Sequence, residues 1–267
     1  MKLKLCDAKS LDIVKTFECG QCFRWNANDK GVYTGVVSRY LAEVETVDNE
    51  VYITSDAPAE MWTDYFDLAT DYAAVSADFT GEYLHECIDY GMGIRILRQD
   101  SWEALCSFII SQCNNITRIK GIVERLCEQF GDKCETNGVG YYTFPSAERL
   151  AALRPSDLSG IRSGYRAEYI IAAARAVTTG ELDLDALKTC DYREAIKTLR
   201  QIRGVGEKVA NCVVLFGLYH MEAFPIDVWM KRALKEHFPA DFDPTSLGAY
   251  AGLAQQYIFY YSRSGGK

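Results

Sequence analysis

The spacing of apolar side chains along this sequence changes once, and that change narrows the possible folds more than any other feature. Residues 1–56 alternate through FRWNANDKGVYTGVV and YLAEVETVDNEVYIT, with Asn-Asp-Lys-Gly and Asp-Asn turn signals between the runs. A period of two with many β-formers predicts a small antiparallel sheet. From Pro58 the period turns helical, with PAEMWTDYFDL and DFTGEYLHECIDYG as short helices. After Asp100 almost every segment reads as helix. Asp100 with Glu103 has the pattern of a capping box opening DSWEALCSFIISQC, and Asn114-Asn115 interrupts the chain before ITRIKGIVERLCEQFG, which stops at Gly131. Further helices are expected at 145–152, 165–179, 192–202, 207–218, 228–237 and 247–262. The fold class is therefore α+β, an antiparallel sheet unit over 1–98 followed by a helical unit over 99–267.

A chain of 267 residues with 48% hydrophobic and 25% charged side chains can bury a sizeable core, which argues against disorder. No apolar run approaches the roughly 18 residues needed to span a bilayer, and the N-terminus lacks a signal-peptide core. The expected location is cytoplasmic, associated with the nucleoid if the source is bacterial. Ten scattered cysteines fit free thiols in a reducing compartment. Cys19-Gly-Gln-Cys22 has redox-motif spacing but no second ligand pair at zinc-finger spacing. The net charge of −8 speaks against nucleic acid only as an average, because residues 1–98 hold 9 basic against 17 acidic side chains while the remainder is balanced. Basic residues gather around Arg162, Arg166, Lys197, Arg200, Arg203 and Lys208.

The stretch LRQIRGVGEKVANCVVLFGL, residues 199–218, joins two helix-like segments through Gly-Val-Gly. Gly204 suits the left-handed residue that ends a helix, and Gly206 lets the next helix start with bare amides facing outward. Such amides grip a phosphate without any side-chain charge, although a plain turn between packed helices has the same residues. Lys208 falls in the first turn, where the positive end of the helix dipole disfavours an ammonium and favours a nucleophilic amine. A lysine that only reaches for water is the plainer alternative. In AFPIDVWMKRAL, Asp227 stands where a helix begins, either as a simple cap or as a carboxylate presented outward.

Together, Gly-x-Gly-x-Lys and the Pro-x-Asp 19 residues beyond it resemble the helix-hairpin-helix Gly/Pro-Asp superfamily of DNA glycosylases, and within it the 8-oxoguanine DNA glycosylase family. GQCFRW at 20–25, LRQD at 97–100, NNITR at 114–118, GIVERLC at 121–127, GYRAEY at 164–169 and YAGLAQ at 250–255 resemble further family segments in the family's order. The resemblance implies a TATA-binding-protein-like sheet ahead of a helical body, and an enzyme that excises 8-oxoguanine from duplex DNA and then cleaves the abasic site. It implies Lys208 as the nucleophile at C1′ and Asp227 as the stabiliser of the cationic sugar. It implies Gly20 as the carbonyl that accepts from the lesion's N7–H, Cys212 and Phe259 as the walls around the base, and Gln255 as the reader of its Watson–Crick edge. On the DNA it implies Asn114, Arg118 and Arg166 near the orphaned cytosine, Tyr165 as a wedge, and Gly204 and Gly206 at the phosphates.

Two positions depart from the family pattern. Cys113 replaces a third asparagine, which predicts a relaxed preference for the opposite base, and Trp229 replaces a histidine near a phosphate. No cysteine follows Cys212, so no iron–sulfur cluster is expected, and neither metal nor cofactor is implied. The expected partner is double-stranded DNA containing oxidised guanine, bound by a monomer. Competing readings are a glycosylase for a different damaged base, a non-catalytic helix-hairpin-helix DNA-binding protein, and a redox protein built on Cys19 and Cys22.

Overall fold

The computed structural model describes residues 1–265. Its first part is a five-stranded antiparallel sheet of β1 (Lys2–Asp7), β2 (Asn26–Ala27), β3 (Tyr33–Val37), β4 (Tyr40–Val47) and β5 (Glu50–Ser55), with a short helix, α1 (Ile13–Glu18), between β1 and β2. The strand order is β1-β5-β4-β3-β2. Register follows from alternation: Val44 pairs with Ile53, and both point into the core with no exposed surface. Phe17, Trp25, Trp62, Tyr65 and Phe66 complete that core, with Phe17 stacked on Trp25 at 4.4 Å and 14°.

Helices then follow in order: α2 (Ala59–Tyr65), α3 (Tyr72–Ala77), α4 (Glu82–Gly91), α5 (Ser101–Ile110) and α6 (Ile116–Phe130). A two-stranded hairpin of β6 (Lys133–Thr136) and β7 (Val139–Tyr142) comes next. The chain continues with α7 (Ala147–Ala151), α8 (Arg166–Thr178), α9 (Leu184–Leu187), α10 (Tyr192–Leu199), α11 (Glu207–Phe216), α12 (Val228–His237) and α13 (Ala251–Ser264). Three-residue-per-turn segments at Pro155–Ile161 and Pro244–Tyr250 link these helices. The architecture is the expected sheet followed by a helical body, with a second and larger core in the body.

Side-chain caps set the helix starts. Asp100 accepts from the Glu103 amide at 2.8 Å, Asn115 from Arg118 at 2.9 Å, and Asp227 from Met230 at 2.9 Å. Several elements depart from the sequence expectation. Helices α1 and α3, the β6–β7 hairpin, the Pro155–Ile161 segment and α9 were not anticipated, and α13 begins at Ala251 rather than 247 because Gly248 takes φ +74. In addition, α3 and α4 pack into the helical core through Tyr72, Leu84 and Cys87, although they precede residue 98.

Candidate active site

Helices α10 and α11 meet at the Gly-Val-Gly turn. Gly204 has φ +86, and a Cβ there would lie 2.2 Å from the Tyr169 ring, so both backbone and packing require glycine. Val205 is buried between the two glycines. Gly206 caps α11 without a side chain and faces open space, which leaves the first amides of α11 uncovered.

Lys208 follows at once, half-buried, with Nζ 5.6 Å from the centroid of Phe108. Phe108 is itself fixed between Phe216, stacked at 5.5 Å, and Phe23, edge-on at 5.8 Å. Cys212 lies one turn along α11 on the same face as Lys208 and is 3% exposed. Burial pushes its thiol up, the charge and hydrogen bonding of Lys208 pull it back, and the Asp227 carboxylate pushes it up again. Lys208 and Asp227 thus both lie close enough to Cys212 to bear on its thiol. Asp227 is half-buried, and its flanking residues Ile226, Val228 and Trp229 are exposed, with Val228 at 75%.

The second wall of the site comes from α13 and from the segment after α1. Gly20 has φ +84, and a Cβ built on it would be 3.6 Å from Phe259 Cε1, 3.6 Å from Arg263 Nη1 and 3.8 Å from Ile116 Cδ1. Buried glutamines fix this segment. Gln21 donates to the carbonyls of Thr16 at 3.0 Å and Arg95 at 2.7 Å and accepts from the Leu97 amide at 2.9 Å. Gln99 donates to the Gln21 carbonyl at 2.8 Å, and Gln256 on α13 to the Cys19 carbonyl at 3.0 Å. Gln255 is 4% exposed, and its Oε1 is buried without a hydrogen-bond partner among the described residues. A buried acceptor in that state is costly unless a ligand supplies the donor.

At the turn before α6, Asn114 donates from Nδ2 to the Ile110 carbonyl at 3.1 Å, while Arg118 and Cys113 are exposed. Cys113 sits at φ +48, a left-handed conformation that asparagine tolerates better than cysteine. Tyr165 is 51% exposed and lies over the Arg166 guanidinium at 4.5 Å. Arg166 is placed differently from the expected contact with a DNA base. It is 4% exposed, and it donates to the carbonyls of Gln112 at 2.9 Å, Ser163 at 3.1 Å and Cys113 at 3.2 Å. Its donors are held by the backbone of the turn, so it shapes that turn.

Sequence reasoning also missed Gln256, Phe108 and Arg263, whose roles depend on contacts across the fold. The cysteine pair at 19 and 22 is buried and free, and burial pushes the Cys19 thiol up to about 11 and Cys22 well above its usual value, which leaves neither as a ready thiolate. Among the described residues no group of three or more His, Cys, Asp or Glu side chains is placed to hold a metal, and no helix is long and apolar enough to cross a membrane.

Residues 4–105 match the model of the 8-oxoguanine DNA glycosylase N-terminal domain, and residues 106–252 that of the HhH-GPD superfamily base excision DNA repair protein. The structure superposes with a TM-score of 0.90 on the Clostridium acetobutylicum 8-oxoguanine glycosylase/lyase in complex with DNA containing cytosine opposite 8-oxoguanine, at 33% identity over 100% of this chain and 99% of that one. It is 37% identical to the N-glycosylase/DNA lyase of Saccharomyces cerevisiae over 55% of this chain, a match that spans 42% of the yeast protein. It is also 33% identical to a DNA-3-methyladenine glycosylase of Bacillus subtilis over 71% of this chain and 68% of that protein. The chain belongs to the HhH-GPD superfamily of base excision DNA repair proteins, in the 8-oxoguanine DNA glycosylase family.

Proposed function

We propose that this chain is a bifunctional DNA glycosylase and abasic-site lyase that removes 8-oxoguanine from duplex DNA. The observation that carries the reading is a half-buried Lys208 set over the Phe108 ring, one helical turn from Cys212, at the mouth of a hairpin whose Gly206 faces open space. A DNA-binding module needs neither an amine on an apolar floor nor a carboxylate beside it. The lesion must leave the stack to reach this site. Seated between Cys212 and Phe259, the base presents N7–H to the Gly20 carbonyl, where the lone pair of undamaged guanine is repelled, and its Watson–Crick edge to Gln255.

The Lys208 amine adds its lone pair to C1′ as the glycosidic bond breaks, and the bonding electrons leave with the base, which takes up a proton. Asp227 offsets the positive charge on the sugar. Ring opening gives a protonated imine at C1′, loss of a proton from C2′ follows, and the C3′–O bond breaks to release the 3′ phosphate. On the other strand, Asn114 and Arg118 reach toward the orphaned base, Tyr165 fills the vacated stack, and Arg166 holds the backbone at 112–113. The sheet unit over 1–98 contributes Gly20 and the helical unit over 99–267 contributes the nucleophile, so the site needs both. The enzyme acts as a monomer, without metal or cofactor, in the compartment that holds the chromosome.

The test is borohydride trapping on a labelled duplex with a single 8-oxoguanine. A covalent adduct forms with the native chain and none with Lys208→Gln, whose turnover drops by about a thousandfold or more; trapping by the variant means another amine is the nucleophile. The Bacillus subtilis relative supplies the second reading, an alkylated base, and a 3-methyladenine duplex run in parallel distinguishes it: release of that base without release of 8-oxoguanine supports it.

A further inference from the structure

One face of α13 carries Gln255, Phe259 and Arg263 at successive four-residue steps, so the three side chains form a stripe. At its two ends lie polar atoms in complementary states. Gln255 Oε1 is a buried acceptor and Arg263 Nη1 a buried donor, and neither has a partner among the described residues. The other arm of the guanidinium is fixed, since Nη2 donates to the Glu18 carbonyl, and the group lies 5.5 Å over the Phe259 ring. Arg263 forms no ion pair among the described residues, because the nearby Glu18 carboxylate is taken by Lys120 at 3.0 Å. Nη1 is directed to the space beside Gly20, 3.6 Å from where a Cβ of that residue would be. A buried, un-neutralised donor is expensive to keep, and its cost is relieved when a ligand brings an acceptor.

We propose that Arg263 is a further specificity-determining residue, whose free Nη1 donates a hydrogen bond to the C8 carbonyl oxygen of the extruded base. The inference rests on the reading that 8-oxoguanine occupies this pocket. A base lying on Phe259 with its N1–H and amino group toward Gln255 turns its five-membered ring toward Gly20 and Arg263. There 8-oxoguanine carries an anionic-leaning carbonyl oxygen, and guanine carries only a C–H. Gly20 and Arg263 thus address adjacent atoms of one edge, the first by rejecting the N7 lone pair and the second by drawing in the added oxygen. A hydrogen bond from a charged donor is of the stronger kind, so the second contribution adds to the first.

The experiment compares two substrates, a duplex with 8-oxoguanine opposite cytosine and the same duplex with a preformed abasic site, which has no base to read. For Arg263→Leu, the ratio of lesion excision to abasic-site cleavage, as single-turnover kcat/KM, falls at least tenfold against the native chain. Arg263→Lys, which keeps a cationic donor, recovers at least threefold of that loss. An unaltered ratio in Arg263→Leu overturns the proposal, and so does a parallel fall in both reactions together with a lower Tm, which marks a purely structural role. If the native chain cleaves the abasic duplex but leaves 8-oxoguanine in place, the lesion assignment itself fails, and the proposal with it.

Discussion

The hairpin mouth and the turn before α6, two parts of the proposed site, are built in opposite ways. Lys208 projects from a helix whose next turns, Cys212, Val213 and Val214, are buried, and the cap of Asp227 is locked by Met230, which has no exposed surface. At the turn, Cys113, Asn115 and Arg118 are all exposed, and Cys113 holds a left-handed backbone. What fixes that turn is one buried side chain, Arg166, acting through carbonyls. Atoms that make and break bonds need positions set within a fraction of an ångström, and core packing supplies them. Groups that meet a variable opposite base need a fixed backbone with free side chains. On the proposed reading, that turn can accommodate a departure such as cysteine at 113, whereas loss of activity is expected from any departure at 208.

Three substitutions sharpen this contrast, in falling order of effect. Asp227→Asn keeps a hydrogen-bonding cap but removes the charge, and turnover on 8-oxoguanine falls at least roughly tenfold, about 1.4 kcal/mol of barrier; unaltered single-turnover rates would leave the carboxylate as a cap alone. Cys113→Asn restores an amide at the turn and suits the left-handed backbone. Excision measured against all four opposite bases then shifts toward cytosine by about fivefold, the worth of one added hydrogen bond of about 1 kcal/mol. A steep cytosine preference already present in the native chain would show that Arg118 and Asn114 suffice.

The smallest effect concerns Glu103, behind the pocket. Burial pushes its carboxyl up to about 7, with Arg24, 3.6 Å away, pulling it back. Because the folded value lies above the unfolded one, the folded state binds the extra proton, and stability rises as pH falls from about 7 toward 4.5. Chemical denaturation between those pH values follows that slope in the native chain and loses it in Glu103→Gln. A slope common to both would assign it to other groups.

Much of this molecule is legible without coordinates. Alternation placed the sheet because only one of its faces is buried, and Asp100, Asn115 and Asp227 marked helix starts because a side-chain cap is a local device. The β6–β7 hairpin was missed although its signal is present, since Asn137-Gly138 between β-formers is a turn signal and both residues take positive φ. Helix α1 and α9 are too short for periodicity to reveal. At the candidate site, motif resemblance pointed to Lys208, Asp227, Gly20 and Gln255. It could not disclose that the Arg166 donors are held by backbone carbonyls, or that Arg263 reaches Gly20, because both facts are products of distant segments meeting.

Gln256 ties the last helix of the chain to the Cys19 carbonyl, 237 positions earlier. On the proposed reading, recognition of the base therefore spans the fold: loosening α13 removes a wall from the base while leaving Lys208 on its own helix.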